Sequence, residues 1–419
     1  MIKRNKLVIK LTCLLVVLLS LSGCWNQSQI EERAYVIAIG IDQAEKDNRI
    51  QITYLIANPE HGSQALGGGT DEPPHQIISF VTDDITTARN TANAVIAKEI
   101  TYDLVEVLAV SEDFAKDKDF IRWMYDVTKD PEIRRDVSML VTKEKTSEFF
   151  KNNKPKFETR PHKYFKQVLK RGVETGMLPE SDLIQFFRIT EADADLFLAM
   201  YGSTEKEENG EQDSGNDHFS AGDFEFKGRT NQTNFAGSAV FKEGKMIDKI
   251  SADETRISII LNPLLNASDI LTTYEDPFNE KFRVAVRVNK KKSNKMEMDL
   301  KAVTPTIHVS IPFEIEVLSA HSMIDYAKDL EKRAKLKKSI EKELKQKIEN
   351  FVKKTQEEFK AEPFHWSLLA RKEFLTVPSY KKFDWMKTYP EMKIEIDVVI
   401  TFGQFGRQSQ LPKLKEIRD

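Results

Sequence analysis

Thiols, imidazoles and carboxylates carry most protein chemistry, and their spacing in this chain argues against catalysis. The 419 residues include two cysteines, Cys13 and Cys24, so no disulfide or thiolate metal site can form beyond position 24. The seven histidines are scattered and lack the paired spacing of a zinc site: His61, His75, His162, His218, His308, His321 and His365. The Gly-x-Ser-x-Gly pattern of hydrolases is absent from the sequence. We therefore predict no catalytic residue, no metal, no cofactor and no enzymatic activity.

Cys24 closes an N-terminal segment that is typical of secreted proteins. Residues 1–10 carry four cations and no acid, and residues 11–21 form a mostly apolar run. A membrane-spanning helix needs about 20 apolar residues, roughly twice the length of this run. A basic stretch followed by a short apolar region and small residues is the pattern of a cleaved signal peptide. We predict that residues 1–23 are removed.

The residues around the predicted cleavage point suggest a covalent modification of Cys24. The sequence Leu21-Ser22-Gly23-Cys24 resembles the lipobox of bacterial lipoproteins. That resemblance implies cleavage before Cys24, a thioether to diacylglycerol on its sulfur, and palmitoylation of the new amino terminus. Several acyl chains on one residue hold a protein firmly at a bilayer. We expect a lipid-anchored protein on the extracytoplasmic face of the cell membrane.

Composition excludes one broad class of partner. The chain is 40% hydrophobic and 31% charged, and its length suggests two or three domains. The formal net charge of −3 becomes −7 once the four signal-peptide cations are removed. Nucleic-acid binding is driven largely by neutralisation of phosphate, so an acidic chain is a poor candidate for it. We predict no nucleic-acid partner.

Strands and helices alternate through the first half of the chain. Residues 35–42 form a short apolar run that predicts a buried strand, and residues 49–57 alternate like its hairpin partner. Further strands are predicted at 76–82, 104–110 and 137–142. Helical patterns lie at 86–98, with Asp83 or Asp84 as the cap, and at 119–128, 164–172, 182–188 and 193–201. This alternation predicts a mixed α/β domain over residues 24–201.

An acidic, low-complexity segment at 202–223 reads as a linker or long surface loop. Beyond it, a C-terminal α+β domain is predicted over 224–411, with residues 412–419 as a flexible tail. A hairpin is expected at 235–241 and 245–251, and further strands at 281–290, 296–310, 312–318 and 391–402. A long amphipathic helix is expected at 322–361. The whole chain is thus predicted to be a multi-domain α+β (mixed α/β) protein with mixed β-sheets covered by helices.

The charge of the predicted long helix allows two interpretations. Residues 328–354 hold eleven Lys or Arg against five Asp or Glu. The helix could dock on anionic lipid headgroups or on an acidic partner. Alternatively, it is a solvated helix whose apolar stripe packs on the neighbouring sheet.

The aromatic residues that follow this helix also have two interpretations. Seven of them lie within 26 residues: Phe364, Trp366, Phe374, Tyr380, Phe383, Trp385 and Tyr389. They could form a partner-binding surface, since Trp and Tyr are common anchors of interfaces. They could instead form a core beneath the long helix.

Two motifs carry a resemblance to a known family. Cys24-Trp25 is followed by a predicted strand that ends in Ile39-Gly40-Ile41-Asp42. The second motif starts at Gly237-Ser238-Ala239-Val240-Phe241 and continues to Glu254-Thr255-Arg256. In these motifs and in the order of its elements, the chain resembles the C-subunit lipoproteins of spore germinant receptors, the Ger(x)C or GerAC-type family. The resemblance implies structural roles for seven residues: Trp25, Gly40, Asp42, Gly237, Phe241, Glu254 and Arg256.

The same resemblance implies a function. A protein of this family would be a non-enzymatic subunit on the inner membrane of the spore, assembled with membrane-embedded A and B type subunits that respond to small nutrients. The alternative is a solute-binding lipoprotein that delivers a small molecule to a membrane transporter. Residues 359–366 depart from the pattern, because a glycine-containing turn is expected there and the sequence is Phe-Lys-Ala-Glu-Pro-Phe-His-Trp.

Overall fold

Two β-sheets with helices packed against them form the fold in the computed structural model. It describes residues 32–405, apart from 46–47, 59–72, 193, 207–218, 224–226 and 266. The predicted signal peptide 1–23, with Cys24, Trp25 and the tail 412–419, lies outside the described residues, as does much of the acidic segment. The mixed α/β class predicted from the sequence is confirmed.

The N-terminal sheet has nine strands. They are β1 Arg33–Gln43, β2 Ile50–Ala57, β3 His75–Thr82, β4 Glu99–Thr101, β5 Val107–Ser111, β6 Ser138–Thr142, β7 Phe197–Ser203, β8 Asn234–Lys242 and β9 Lys245–Ile250. Their order is β3-β2-β1-β5-β6-β7-β8-β9, and β4 pairs with the start of β1. Neighbours from β1 to β7 in this order are parallel, whereas the outer pairs are antiparallel.

In the described part of the chain, six helices accompany this sheet: α1 Ile85–Asn93, α2 Glu112–Ala115, α3 Phe120–Val127, α4 Thr146–Asn152, α5 Pro161–Glu174 and α6 Leu183–Ala192. Of the two predicted caps for α1, the structure uses Asp84, whose Oδ1 accepts from the N–H of Thr86 at 2.7 Å. Successive residues of β5 enter different hydrophobic clusters, Leu108 in one and Val107 in the other. Both faces of the sheet are therefore covered, because side chains alternate between the faces of a strand.

The predicted helix at 193–201 is wrong, because residues 197–203 form β7. All seven residues of this strand are buried. Strands of a parallel sheet are covered on both faces and read as continuous apolar runs without alternation. Periodicity cannot separate such a run from a buried helix.

The C-terminal sheet has five strands: β10 Ala267–Glu275, β11 Arg283–Lys290, β12 Lys295–Asp299, β13 Thr306–Ala320 and β14 Lys393–Phe405. The long β13 pairs with β12 along its first part and with β11 along its second, and with β14 in parallel. The predicted strand at 296–310 is therefore two strands, interrupted at 300–305. The predicted strand at 312–318 continues β13 without a break.

The boundary between the sheets lies after β9. Strands β7 and β8 lie on either side of the acidic segment in the sequence, yet they pair antiparallel. The N-terminal sheet therefore continues across the predicted linker at 202–223. The hairpin β8–β9, predicted as part of the C-terminal half, belongs to this first sheet. Leu196 and Val240 of this part pack in one hydrophobic cluster with residues of the second sheet, such as Val286.

The remaining helices are α7 Ala252–Leu261, α8 Leu330–Lys354, α9 Trp366–Ala370, α10 Val377–Phe383 and α11 Trp385–Thr388. The prediction of one helix over 322–361 is wrong at both ends. Asp325 accepts hydrogen bonds from the backbone of 327 and 328, which forms a turn, and α8 begins only after its cap Asp329. At the other end a π-helical turn, Thr355–Phe359, leads to Lys360 with a φ of 53°.

Candidate functional site

The end of β1 holds α4 through a buried carboxylate. Asp42 is 1% exposed, and its Oδ1 accepts from the N–H of Thr146 at 2.9 Å. Its Oδ2 accepts from the hydroxyl of Thr146 at 2.7 Å. The residue before α4, Lys145, makes no side-chain cap bond. Asp42 therefore caps a helix 104 positions further along the chain, where a negative charge is favourable.

Gly40 allows α4 to approach β1 closely. A Cβ at this position would lie 2.3 Å from Oγ1 of Thr146 and 2.9 Å from the ring of Phe150. Any larger residue would push α4 away from the sheet and stretch the bonds of Asp42. Gly40 and Asp42 thus act together in one contact.

The second motif builds the start of α7. Ser251 and Glu254 form a capping box, in which each side chain accepts a hydrogen bond from the backbone N–H of the other. Oε1 of Glu254 also lies 2.8 Å from Nζ of Lys354, at the end of α8. Glu254 therefore joins α7 to the long helix.

The middle of α7 is bound to the N-terminal sheet and its helices. Arg256 is 5% exposed, and its Nε donates to the carbonyl of Thr175, just after α5. A cation is favourable there because helix C-termini carry partial negative charge. The hydroxyls of Thr255 and Ser238 are 2.7 Å apart, which connects α7 to β8.

Two further motif residues belong to β8. Gly237 has a φ of 82°, and a Cβ there would lie 2.4 Å from the carbonyl oxygen of Ile250 in β9. Phe241 is 1% exposed, with its ring within 6 Å of three others, those of Phe120, Phe186 and Phe197. The second motif therefore forms a hairpin packed under α7 and α3.

The C-terminal end of α7 is satisfied by the other half of the chain. Asn294 Nδ2 donates to the carbonyls of 260 and 261, and Trp366 Nε1 donates to the latter at 3.0 Å. Lys290 Nζ donates to the carbonyls of 262 and 265, both at 2.8 Å. Burial lowers the pKa of Lys290 to about 8. The carbonyls that a helix leaves unpaired at its end are thus bonded by residues around the second sheet.

Next to α7 lies a buried acidic group that sequence reasoning missed, here named the junction cluster and made of Asp195, Glu362 and His365. Glu362 is fully buried, and its two oxygens accept from the backbone N–H groups of 364, 366 and 367. Burial, and then the neighbouring Asp195 carboxylate, hold the pKa of Glu362 well above its usual range. Oδ2 of Asp195 lies 3.1 Å from Nδ1 of His365.

A proton on Glu362 would provide a hydrogen-bond donor for a buried oxygen of Asp195 that otherwise has none in the described part of the chain. Asp195 is 7% exposed, and its Oδ1 has no donor among the described residues while Glu362 is ionised. A protonated Glu362 carries a hydroxyl that can donate to this atom, and the Asp195 carboxylate is among the causes that raise the pKa of Glu362. A neighbouring negative charge and burial both favour the neutral form of a carboxyl group such as Glu362.

The junction cluster sits on the segment where the family pattern predicted a glycine-containing turn. Left-handed backbone is present there, but Lys360 and His365 adopt it, with φ values of 53° and 60°. Non-glycine residues in this region carry strain that surrounding contacts must offset. The only sign of this cluster in the sequence is Glu362, an acid within an apolar, aromatic stretch. Its partner Asp195 is 167 positions away, and no sequence pattern links the two residues.

Glu362 is not placed to act as an acid–base catalyst. The oxygens of Glu362 are occupied by backbone N–H groups, so they are not available to a substrate. Within the part of the chain that is described, no group of three or more His, Cys, Asp or Glu is arranged to hold a metal ion. The helices in that part also include none that is long and apolar enough to cross a membrane.

Most of the positive charge on α8 is paired within the protein. Seven of the eleven cations at 328–354 lie within 4 Å of an acid: Lys328, Lys332, Lys337, Lys345, Lys347, Lys353 and Lys354. Arg333 donates to two carbonyls, and Lys335 lies over the ring of Phe278. Lys338 and Lys342 make no ion pair with a described residue. The buried apolar side chains of α8 lie in the hydrophobic cluster of the second sheet, so the structure favours the interpretation of a solvated helix that packs on that sheet.

The late aromatic residues form core, as the second interpretation predicted. Phe364, Trp366 and Tyr389 are 0% exposed, and Trp385 is 2% exposed. The other three pack against the same cluster while partly exposed. These rings belong to the same hydrophobic cluster as the buried face of α8, where the ring of Phe364 contacts that of Phe351.

Sequence models of two protein domains match the chain. The spore germination protein N-terminal domain matches residues 26–202, and the spore germination B3/GerAC-like C-terminal domain matches residues 236–406. The chain therefore belongs to the GerAC-type family of spore germination proteins, and the resemblance drawn from its motifs is confirmed.

Three individual proteins that are similar in sequence are also spore germination proteins by name. Spore germination protein KC of Bacillus subtilis (strain 168) is 28% identical over 136 residues, which is 31% of this chain and about a third of that protein. Spore germination protein A3 of the same organism is 27% identical over 128 residues, covering 28% of this chain and 34% of that protein. A candidate spore germination protein of that organism, YfkR, is 20% identical over 410 residues, covering 96% and 98% of the two chains.

A solved structure shares the fold. The crystal structure of the GerBC protein matches with a TM-score of 0.50 at 13% identity, covering 90% of this chain and 99% of that one. The multi-domain arrangement predicted from the sequence is therefore confirmed.

We expect Asp42→Ala to lower the free energy of unfolding by about 2–4 kcal/mol, because it removes a helix cap and leaves two buried donors of Thr146 without an acceptor. Denaturant unfolding followed by tryptophan fluorescence measures this. The control is Asp84→Ala, a cap with more solvent access, for which a loss of about 1 kcal/mol is expected. Equal losses in the two variants would contradict the role given to Asp42.

We expect Glu362→Gln to change how stability depends on pH. With a raised pKa, folded Glu362 binds a proton that the unfolded chain has released, so wild-type stability falls as pH rises from the ordinary carboxyl pKa through the raised one. The variant cannot titrate there, so its unfolding free energy relative to wild type should increase over that range. Denaturant titrations from pH 4.5 to 8.5 test this, with Glu357→Gln, 65% exposed, as the control. Parallel curves for wild type and Glu362→Gln would disprove the assignment.

Proposed function

We propose that the protein is a lipid-anchored, non-enzymatic subunit of a nutrient germinant receptor complex in the spore membrane. The observation that carries the proposal is the match of two germination-protein domains to both halves of the chain. Spore germination proteins KC and A3 add support, since both are named for germination. The complex would contain membrane-embedded A and B type subunits, as the family resemblance implies, and would respond to small nutrients.

The sequence before β1 supports the anchor. Cys24 ends the Leu21-Ser22-Gly23-Cys24 pattern, and β1 begins at Arg33. Nine residues of chain span at most about 30 Å, even when fully extended. A lipid on Cys24 would therefore keep the N-terminal sheet close to the bilayer surface, within reach of membrane-embedded partners. The proposed location is the extracytoplasmic face of the inner spore membrane.

The described side chains support a binding rather than a catalytic role. The polar residues of both motifs are engaged in structural contacts: Asp42 caps α4, and Glu254 and Arg256 bind α7 to α8 and to the end of α5. A rigid body of this kind suits a subunit that positions or stabilises its partners.

We expect Cys24→Ala to leave the fold intact and to release the protein from the membrane fraction, because the acyl chains could no longer be attached. Fractionation of sporulating cells, with an alkaline wash to remove peripheral proteins, measures this. The matched control is Cys13→Ala, which changes a cysteine that would be discarded with the signal peptide. If Cys24→Ala stayed in the washed membranes as tightly as the parent, the anchoring proposal would fail.

Membership of a receptor complex is tested by purification from detergent-solubilised spore membranes. A C-terminally tagged chain is expected to elute with a polytopic membrane protein and a second subunit that has a large extramembrane domain, both identified by mass spectrometry. The Cys24→Ala chain, added to the same extract, shows whether association needs the anchor. A tagged wild-type chain that elutes alone, while intact receptor is present in the extract, would refute the proposal.

A further inference from the structure

A cavity opens at the junction between the two halves of the chain. It lies between α6, β7, α7 and the turn that carries His365, and its volume is about 320 Å³. This is within the range of roughly 300–1,000 Å³ that small-ligand sites occupy, and such sites are frequent where domains meet. We name it the junction cavity.

The body of the junction cavity is apolar. Its walls include the buried side chains of Ile189, Leu196 and Leu198. At its rim, Ile184 and Leu264 are 51% and 64% exposed. Apolar side chains that line a concavity and continue to its open edge favour a ligand with an apolar body.

Two donor side chains of the junction cavity, Arg188 and Asn262, have donor groups without a partner among the described residues. Arg188 lines it and makes no ion pair or hydrogen bond with any residue in the described part of the chain. Asn262 is 6% exposed, and its Oδ1 accepts from the N–H of Leu264, whereas its Nδ2 amide bonds no described residue. Among the lining residues, Glu180 is the only acid.

The unpaired donors of Arg188 and Asn262 favour a negatively charged ligand over a positively charged one. A carboxylate pairs with a guanidinium through charge-assisted hydrogen bonds, which are about twice as strong as neutral ones. A primary amine would instead meet the positive charge of Arg188. The volume admits a short apolar chain but not a peptide of several residues.

We propose that the junction cavity binds a small apolar molecule bearing one carboxylate, held by Arg188 and Asn262 with its apolar body against Leu196 and Leu198. The site goes beyond the proposed receptor role and does not depend on lipid anchoring. His365 lines the same cavity, and its Nδ1 is held by Asp195. A ligand there would therefore contact His365 of the junction cluster as well as β7 and α7.

Isothermal titration calorimetry on the whole chain in phosphatidylcholine nanodiscs tests this, with 4-methylpentanoate as the probe. The matched neutral and cationic probes are 4-methylpentan-1-ol and 4-methylpentan-1-amine. The carboxylate is expected to bind saturably, the alcohol about tenfold more weakly, and the amine more weakly still. Empty nanodiscs correct for partitioning into lipid. Absence of saturable carboxylate binding, or equal affinities for the carboxylate and the alcohol, would overturn the proposal.

Two variants locate the binding. Arg188→Gln, on an exposed part of α6, should weaken the carboxylate about tenfold and leave the alcohol unchanged. Leu264→Glu adds a negative charge at the exposed rim and should weaken the carboxylate as well. The control is Arg122→Gln on α3, which removes the same charge from a side chain that is 81% exposed and outside the cavity. Unchanged carboxylate affinity in Arg188→Gln would place the binding elsewhere and overturn the proposal.

Discussion

The burial of helix α7 is the constraint on which the rest of the structure depends. Seven of its ten residues are buried, among them Thr255, Arg256 and Ser258. Buried polar groups without hydrogen bonds are costly, so each needs a partner within the protein. The partners come from every direction: β8 and the end of α5 on one side, and α8, the β11–β12 connection and Trp366 on the other. The hydrogen bonds that the buried polar groups of α7 require therefore fix the position of one sheet relative to the other.

This constraint bears on function through the rigidity of the junction. Opening the junction would expose the carbonyls that Lys290 and Trp366 bond, and it would separate Asp195 from Glu362. Such losses disfavour a hinge between the halves, which a solute-binding protein with closing lobes would need. A stiff body suits a subunit that holds its place among partners. The junction cavity fits this view, because a small ligand can enter it without a large domain movement.

How much could be predicted depended on whether an element is defined by nearby residues. The hairpin β8–β9 was predicted correctly because a two-residue turn containing a glycine, Glu243-Gly244, stands directly between its two strands. In the structure both turn residues have positive φ, as such a turn requires. The cap Asp84 is equally local. Strand β7 was missed because its apolar run reflects burial by elements far away in the sequence. The ends of α8 were missed because Asp325 forms a turn in a segment whose spacing still looks helical, and because the π-helical turn leaves the apolar stripe intact.

The sequence by itself determined the lipid-anchor expectation, the absence of thiols beyond Cys24 and the family, since each rests on residue types at short spacing. Motif membership marked Gly40, Asp42, Glu254 and Arg256 but not what they touch. Only the tertiary structure decided that Asp42 caps α4, that Arg256 bonds the end of α5, and that Asp195 meets Glu362. These pairs are 81 to 167 positions apart, and their strength comes from burial, which neither composition nor periodicity contains. The position of the junction cavity follows from the same long-range packing.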